Sequence, residues 1–290
     1  MNAPVDMTGL SARNLGVGYG TRPVLAGIDL LIVPGGVTAL VGPNGSGKST
    51  LLKAMARLIA PQAGAALLDG QAIASLPTRE VARRLAILPQ APAAPSRITV
   101  LELVELGRFP HVGALRMLTR QDRDEVRQAL VLTGMEHFAQ RPLDTLSGGE
   151  RQRAWIALAL AQATPWLLLD EPTTFLDIGH QFEVLDLVAR LNVERGLSIV
   201  MVLHDLNQAA RFASRMIVLK DGAVHTDGPP TAVMTPAMLA NVFAMEARIV
   251  TDPETGTPFM MPVRHVPKAI ATAGSQAEER GSRPVVGASC

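Results

Sequence analysis

The stretch GPNGSGKST (42–50) sets glycines, a lysine and a serine at the spacing G-x-x-x-x-G-K-S. Gly42, Gly45 and Gly47, with Pro43, Asn44, Ser46 and Thr50 between and after them, allow a backbone to wrap around phosphate with its N–H groups inward. Lys48 can reach the outer phosphates of a polyphosphate, and the Ser49 hydroxyl can ligate Mg²⁺. The run WLLLDEP (166–172) ends on two carboxylates. A buried strand stopping there places both at the sheet edge where ligands bind in open α/β folds. Asp170 suits the shell of the metal, and Glu171 suits a general base acting on an attacking water. A plain charged loop after a strand would show the same two residues.

Two further apolar runs stop on useful polar groups. LAILPQ delivers Gln90, and SIVMVLHD delivers His204. Gln90 can bridge Mg²⁺ and the water; His204 can bond the terminal phosphate or help place the water. Tyr19, the only tyrosine, lies upstream of the glycine loop and can stack on a planar base.

A second anion-type feature lies about a hundred residues on. In DTLSGGERQR (144–153), Ser147 and Glu150 fit an S-x-x-E capping box at the start of a helix-like run. Such a helix end carries free N–H groups and partial positive charge. It falls in a helical segment and is not expected to reach the glycine loop of the same chain. A second copy related by a two-fold axis could place it over that loop's ligand, an expectation that rests partly on the family resemblance given below.

The elements that must position these groups read as α/β. Strand-like VTALV (37–41), LAIL (85–88), WLLL (166–169) and SIVMVL (198–203) alternate with helical runs, the first being KSTLLKAMARLI (48–59). MIVLKDGAVHTDG (216–228) reads as a hairpin turning at Asp221-Gly222. The first 35 residues suit antiparallel strands. Between Ala91 and Gln162 strand signals vanish, and TVLELVELGR and TRQDRDEVRQALVLTGM carry apolar residues at helical spacing. An all-helical insertion is expected there, and a disordered tail from about residue 266.

Bulk numbers narrow the class. Among 290 residues, 27 basic and 26 acidic side chains leave a net charge of +1, so the broad basic surface of a nucleic-acid binder is absent and no nucleic-acid partner is expected. One cysteine, Cys290, excludes a disulfide framework and fits a reducing compartment. The N-terminal residues lack a signal-peptide pattern. The most apolar stretch, AWIALALAQATPWLLL, is too short and too interrupted to span a bilayer. The reading is a soluble cytoplasmic protein whose membrane role, if any, comes through a partner.

The order glycine loop, Gln90, LSGGE, WLLLDEP, FLD (175–177), His204 resembles the nucleotide-binding subunit of an ATP-binding-cassette transporter over roughly residues 8–262. The resemblance implies a P-loop NTPase with a RecA-like core, an antiparallel β subdomain and an inserted α-helical subdomain at about 91–162. It further implies a head-to-tail homodimer holding two Mg-ATP, with Ser147, Gly148 and Gly149 on the opposite nucleotide. Asp177 takes the place of an aspartate that communicates across the interface, and Tyr19 that of the adenine-stacking aromatic. Finer likeness in DEPTTFLDIGHQFEVLDLV, HDLNQAARFASRMIVLKDG and LGRFPH is to the ATPases of ferric-siderophore importers, with haem and cobalamin importers in the same broad group. A soluble cassette ATPase without a transport role is the alternative class. The resemblance implies two transmembrane permease subunits, a periplasmic or lipid-anchored substrate-binding protein, and residence on the cytoplasmic face of the inner membrane. The helical segment after Gln90, about 90–112, mixes apolar and basic residues as a helix-receiving groove for the permease would, though plain subdomain core would read the same way.

Overall fold

The structure, a computed structural model, describes residues 8–112 and 117–266. It opens on an antiparallel pair, β1 (Leu10–Tyr19) and β2 (Arg22–Ile32), registered from Leu10↔Ile32 to Tyr19↔Arg22. β3 (Val37–Val41) is buried along its whole length and leads through the glycine loop into α1 (Lys48–Met55). This helix is shorter than the 48–59 expected. Arg57 takes a left-handed φ of 62°, and a Schellman closure forms, Arg57 N–H to Ala54 O and Leu58 N–H to Lys53 O. The Arg57 guanidinium then donates to Leu76 O at 2.6 Å, which fixes the unusual conformation.

The chain returns to the first sheet as β4 (Ala63–Leu68) and β5 (Gln71–Ala72), giving the order β2-β1-β4-β5. α2 (Thr78–Arg84) runs directly into β6 (Leu85–Leu88). Four helices follow, α3 (Val100–Glu105), α4 (Phe109–Val112), α5 (Arg120–Thr133) and α6 (Gly148–Ala161). Among the described residues this stretch carries no strand beyond one isolated bridge, Thr99↔Pro142. TVLELVELGR is helical only to Glu105 and tightens to a 3₁₀ turn at Leu106–Arg108. α5 starts at a full Thr119/Asp122 capping box and stops at Gly134, φ 66°.

β7 (Trp166–Asp170), α7 (Ile178–Arg195), β8 (Ser198–Val202) and α8 (Leu206–Phe212) complete the alternation. The hairpin β9 (Arg215–Lys220) and β10 (Ala223–Gly228) turns at Asp221-Gly222, both at positive φ. α9 (Pro230–Val233), α10 (Pro236–Phe243) and a final hairpin, β11 (Met245–Thr251) with β12 (Pro258–His265), end the described chain. The tail expected from about residue 266 lies, beyond Val266, outside the described residues.

The main sheet has the order β10-β9-β3-β8-β7-β6, parallel except at its β10 edge. Its inner strands are continuous apolar runs because both faces are covered. Leu40, Leu168 and Val200 face a core shared with α1 and the antiparallel sheet, while Ala39, Leu169 and Met201 face one shared with the later helices. Among the described residues no helix is long and apolar enough to cross a membrane.

Candidate active site

Parallel pairing aligns four strand ends at one edge of the sheet. β3 ends at the glycine loop, β6 two residues before Gln90, β7 on Asp170 and β8 two residues before His204. They open on a cleft of about 800 Å³ lined by Lys48, Ser49, Thr50, Gln90, Glu171 and His204, and by Asn44, Gly45 and Gly47 of the loop.

The loop is sterically bound to glycine. Gly42 has φ 147°, and a Cβ there would lie 2.2 Å from Leu219 O; a Cβ at Gly47, φ 99°, would lie 2.4 Å from Leu25 Cδ2. Gly47 also caps α1 without a side chain, and the first turn holds no acidic residue. The first-turn N–H groups therefore remain available to an anion. Lys48 Nζ folds back over the loop and donates to Gly42 O and Pro43 O, each at 2.9 Å. Burial pulls its ammonium pKa down, and the negative charges of Glu171 and Asp170 partly restore it. Ser46 Oγ is buried without a hydrogen-bond partner.

Asp170 is 1% exposed, and neither carboxylate oxygen accepts a hydrogen bond. Lys53 Nζ pairs with it, 3.2 Å from Oδ2. Lys53 stands one turn beyond Ser49 on α1. A buried carboxylate with spare acceptor capacity suits a hard divalent cation, although Asp170, unlike Ser49 and Gln90, is not among the residues lining the cleft.

Glu171 adopts φ 54°, uncommon for a residue with a side chain. Its carboxylate is gripped by three neighbours. Oε2 accepts Gln90 Nε2 at 2.5 Å and Thr174 Oγ1 at 3.0 Å, and Oε1 lies 2.7 Å from His204 Nε2. Tyr19, 56% exposed, stands opposite Arg22 at the end of β1 and borders the same cleft.

Ser147, Gly148, Gly149 and Asp177 do not line this cleft. Ser147 caps α6 reciprocally: its N–H donates to Glu150 Oε2 at 2.8 Å, and its Oγ accepts Glu150 N–H at 3.3 Å. Leu146, 5% exposed, anchors the turn before it. Asp177 caps α7.

A family model described as ABC transporter matches residues 25–174, from within β2 to just past Glu171. This chain belongs to the ABC transporter family. It is 52% identical over 252 residues to the iron(3+)-hydroxamate import ATP-binding protein FhuC of Bacillus subtilis, covering 87% of this chain and 94% of that one. With the ferric enterobactin transport ATP-binding protein FepC of Escherichia coli it shares 44% over 254 residues, 88% of this chain and 94% of the relative. Among solved structures, the dimeric bacterial ABC transporter cassette MJ0796 matches at TM-score 0.67 and 33% identity, over 76% of this chain and 98% of that one. An inward-facing ABC transporter matches at TM-score 0.77 and 27% identity, over 88% and 98%. The fold is that of the family, an α/β P-loop NTPase.

Some contributors escaped the sequence reading. Arg22 and the Asp221-Gly222 turn border the cleft, yet the turn reads only as a hairpin signal. Lys53 was legible as one helical turn past Ser49, had Asp170 been known to face it. Thr174 lies three residues past Glu171, a spacing that a left-handed turn at Glu171 makes into a contact.

Proposed function

We propose that this chain is the ATP-hydrolysing subunit that powers import of an iron–siderophore complex through a membrane permease, working as a homodimer with two nucleotides at its interface. The observation that carries the reading is the division of the site. Lys48, Gln90, Glu171 and His204 share one cleft, while Ser147–Gly149 caps a helix elsewhere on the same chain. A site so divided is completed by a second copy.

In this reading the loop N–H groups and Lys48 hold the phosphates, and Tyr19 stacks on the adenine. Mg²⁺, held by Ser49, Asp170 and Gln90, would neutralise charge on the phosphates; the buried Asp170 carboxylate, paired with Lys53 but accepting no hydrogen bond, supports that assignment. Glu171 takes a proton from the attacking water, and His204 bonds the terminal phosphate. Glu171 is held by Gln90, Thr174 and His204, which leaves Oε1, bonded only by His204, with capacity to accept a water. Ser147, Gly148 and Gly149 of the partner subunit close over the terminal phosphate with the positive end of α6. Phe175 and Ile178, exposed at 94% and 74% on either side of Asp177, support burial of that surface by the second copy.

Iron–siderophore cargo is supported by the names of the relatives above. A cobalamin import ATP-binding protein, BtuD of Halobacterium salinarum, is 41% identical over 259 residues, and this chain covers 63% of it. For the permease pair, an open groove between Arg97 and Leu118, bordered by exposed Leu106 and Phe109, supports docking of a membrane-subunit helix there. A periplasmic or lipid-anchored substrate-binding protein and a place on the cytoplasmic membrane face complete the reading.

Glu171→Gln tests it. Hydrolysis should fall by about 10²–10⁴-fold while ATP still binds and a dimer accumulates on size exclusion. Hydrolysis at the wild-type rate would remove Glu171 as the base. Uptake of labelled ferric hydroxamate, with the permease pair and binding protein co-expressed, tests the cargo; uptake unaffected by Lys48→Ala would refute it.

A further inference from the structure

Two consecutive side chains of α7, His180 and Gln181, fasten the turn at Leu176–Asp177 from opposite sides. Asp177 Oδ1 accepts the backbone N–H of His180 at 2.9 Å, and Oδ2 lies 2.7 Å from His180 Nδ1. Both oxygens of an exposed carboxylate are thus engaged by one residue. A helix cap needs only the first bond; the second fixes the orientation of Asp177 and of the imidazole ring. That ring lies against the first turn of α6. A Cβ on Gly149 would fall 2.4 Å from His180 Cδ2 and 2.9 Å from Cγ, so only glycine permits the approach.

Gln181 works in the other direction. Its Nε2 donates to Leu176 O at 2.9 Å, and its Oε1 accepts Gln208 Nε2 at 2.6 Å. Gln208 is 8% exposed, and its own N–H donates to Asp205 Oδ1, on the residue after His204. The turn is therefore tied to the Ser147–Gly149 helix start on one side and to the His204 segment on the other. A few ångströms separate each link, and none of the linking groups lines the cleft.

We infer that His180 and Gln181 are positioning residues for hydrolysis, holding the Asp177 turn in register with both the α6 start and His204. The inference rests on the reading that Ser147–Gly149 completes the site of a second copy. If the three segments must close on one nucleotide together, loosening either tie lowers turnover while leaving the glycine loop, and so nucleotide affinity, intact.

The test uses the full chain. His180→Ala and Gln181→Leu should each lower kcat at least ten-fold, with KM for ATP and the Kd for an ATP analogue within about three-fold of wild type. His180→Asn, whose Nδ2 can still donate to Asp177, should recover most of the lost rate. Gln181→Leu/Gln208→Leu should be no slower than Gln181→Leu alone, because the shared bond is lost once. Wild-type kcat within two-fold in both single variants would overturn the inference, as would strictly additive losses at Gln181 and Gln208. If His180→Ala does not fold, Gln181→Leu and Gln208→Leu, each expected to lower kcat at least ten-fold, carry the decision, and wild-type kcat within two-fold in both overturns the inference. Glu171→Gln run in parallel separates the failures. Full activity there would remove Glu171 as the base; a closed Glu171→Gln dimer with Ser147–Gly149 away from every triphosphate would sink the underlying reading, whereas a closed dimer completed by Ser147–Gly149 beside a fully active His180→Ala would sink only the positioning role.

Discussion

Glu171 and Gly42 show what single residues contribute. At Glu171 the left-handed backbone and the grip of Gln90, Thr174 and His204 aim one carboxylate along the sheet edge. At Gly42 the constraint is steric. Gly42→Ala would set a methyl 2.2 Å from Leu219 O at φ 147°, costing at least about 1–3 kcal/mol of strain and distorting the phosphate loop. Urea melts should show the loss, and binding of a fluorescent ATP analogue should fall at least ten-fold; unchanged affinity would mean that the loop adapts. Residue types at fixed spacing made this scale the most legible in the sequence. GPNGSGKST carries its chemistry locally, so Lys48 and Ser49 could be proposed from spacing, whereas WLLLDEP alone reads equally as a charged loop after a strand. The contacts of Lys53, Thr174 and His180 could not be read from spacing, because each depends on where a turn or helix points the side chain.

Elements hold these groups in place through a few buried polar ties. Arg108, 4% exposed, donates from Nε to Asp122 Oδ1 at 2.9 Å and from Nη1 to Ala161 O at 2.8 Å, joining the start of α5 to the end of α6. Burial by itself would raise the Asp122 carboxyl. The Thr119 hydroxyl and N–H, with the Arg108 guanidinium, outweigh it and hold the pKa at about 2. Because the folded value lies below the unfolded one, this contribution is complete above about pH 4 and lost as pH falls toward 2. Arg108→Met leaves the buried carboxylate unpaired and should cost about 3–5 kcal/mol at neutral pH. Thermal unfolding should register that loss, and the deficit should shrink in acid; a deficit constant down to pH 2 would contradict the assignment. Continuous apolar runs marked β3, β6, β7 and β8 in the sequence because they are buried on both faces. β4 and β5 escaped it: AGAALL has little strand preference, and pairing with β1 makes it a strand. The β11–β12 hairpin was likewise set by tertiary contact, Asn207 exchanging two hydrogen bonds with the backbone of Met260.

For the whole molecule, the decisive feature is an open cleft on one part of the chain and a capped helix start, Ser147–Gly149, on another. The sequence held both halves and their capping chemistry, but periodicity and spacing locate elements within one chain and say nothing of a partner's placement. The groove between Arg97 and Leu118, proposed above to receive a permease helix, is a second feature of the surface. Phe109→Asp, at a position 58% exposed beside that groove, should reduce co-elution with the permease pair at least ten-fold. Undiminished co-elution would move the docking surface elsewhere. Completion of the cleft by a second copy is tested most directly by the crystal structure of Glu171→Gln with bound ATP. Each triphosphate should lie between Lys48 of one protomer and Ser147–Gly149 of the other. A closed dimer in which Ser147–Gly149 stands away from every triphosphate would contradict the account.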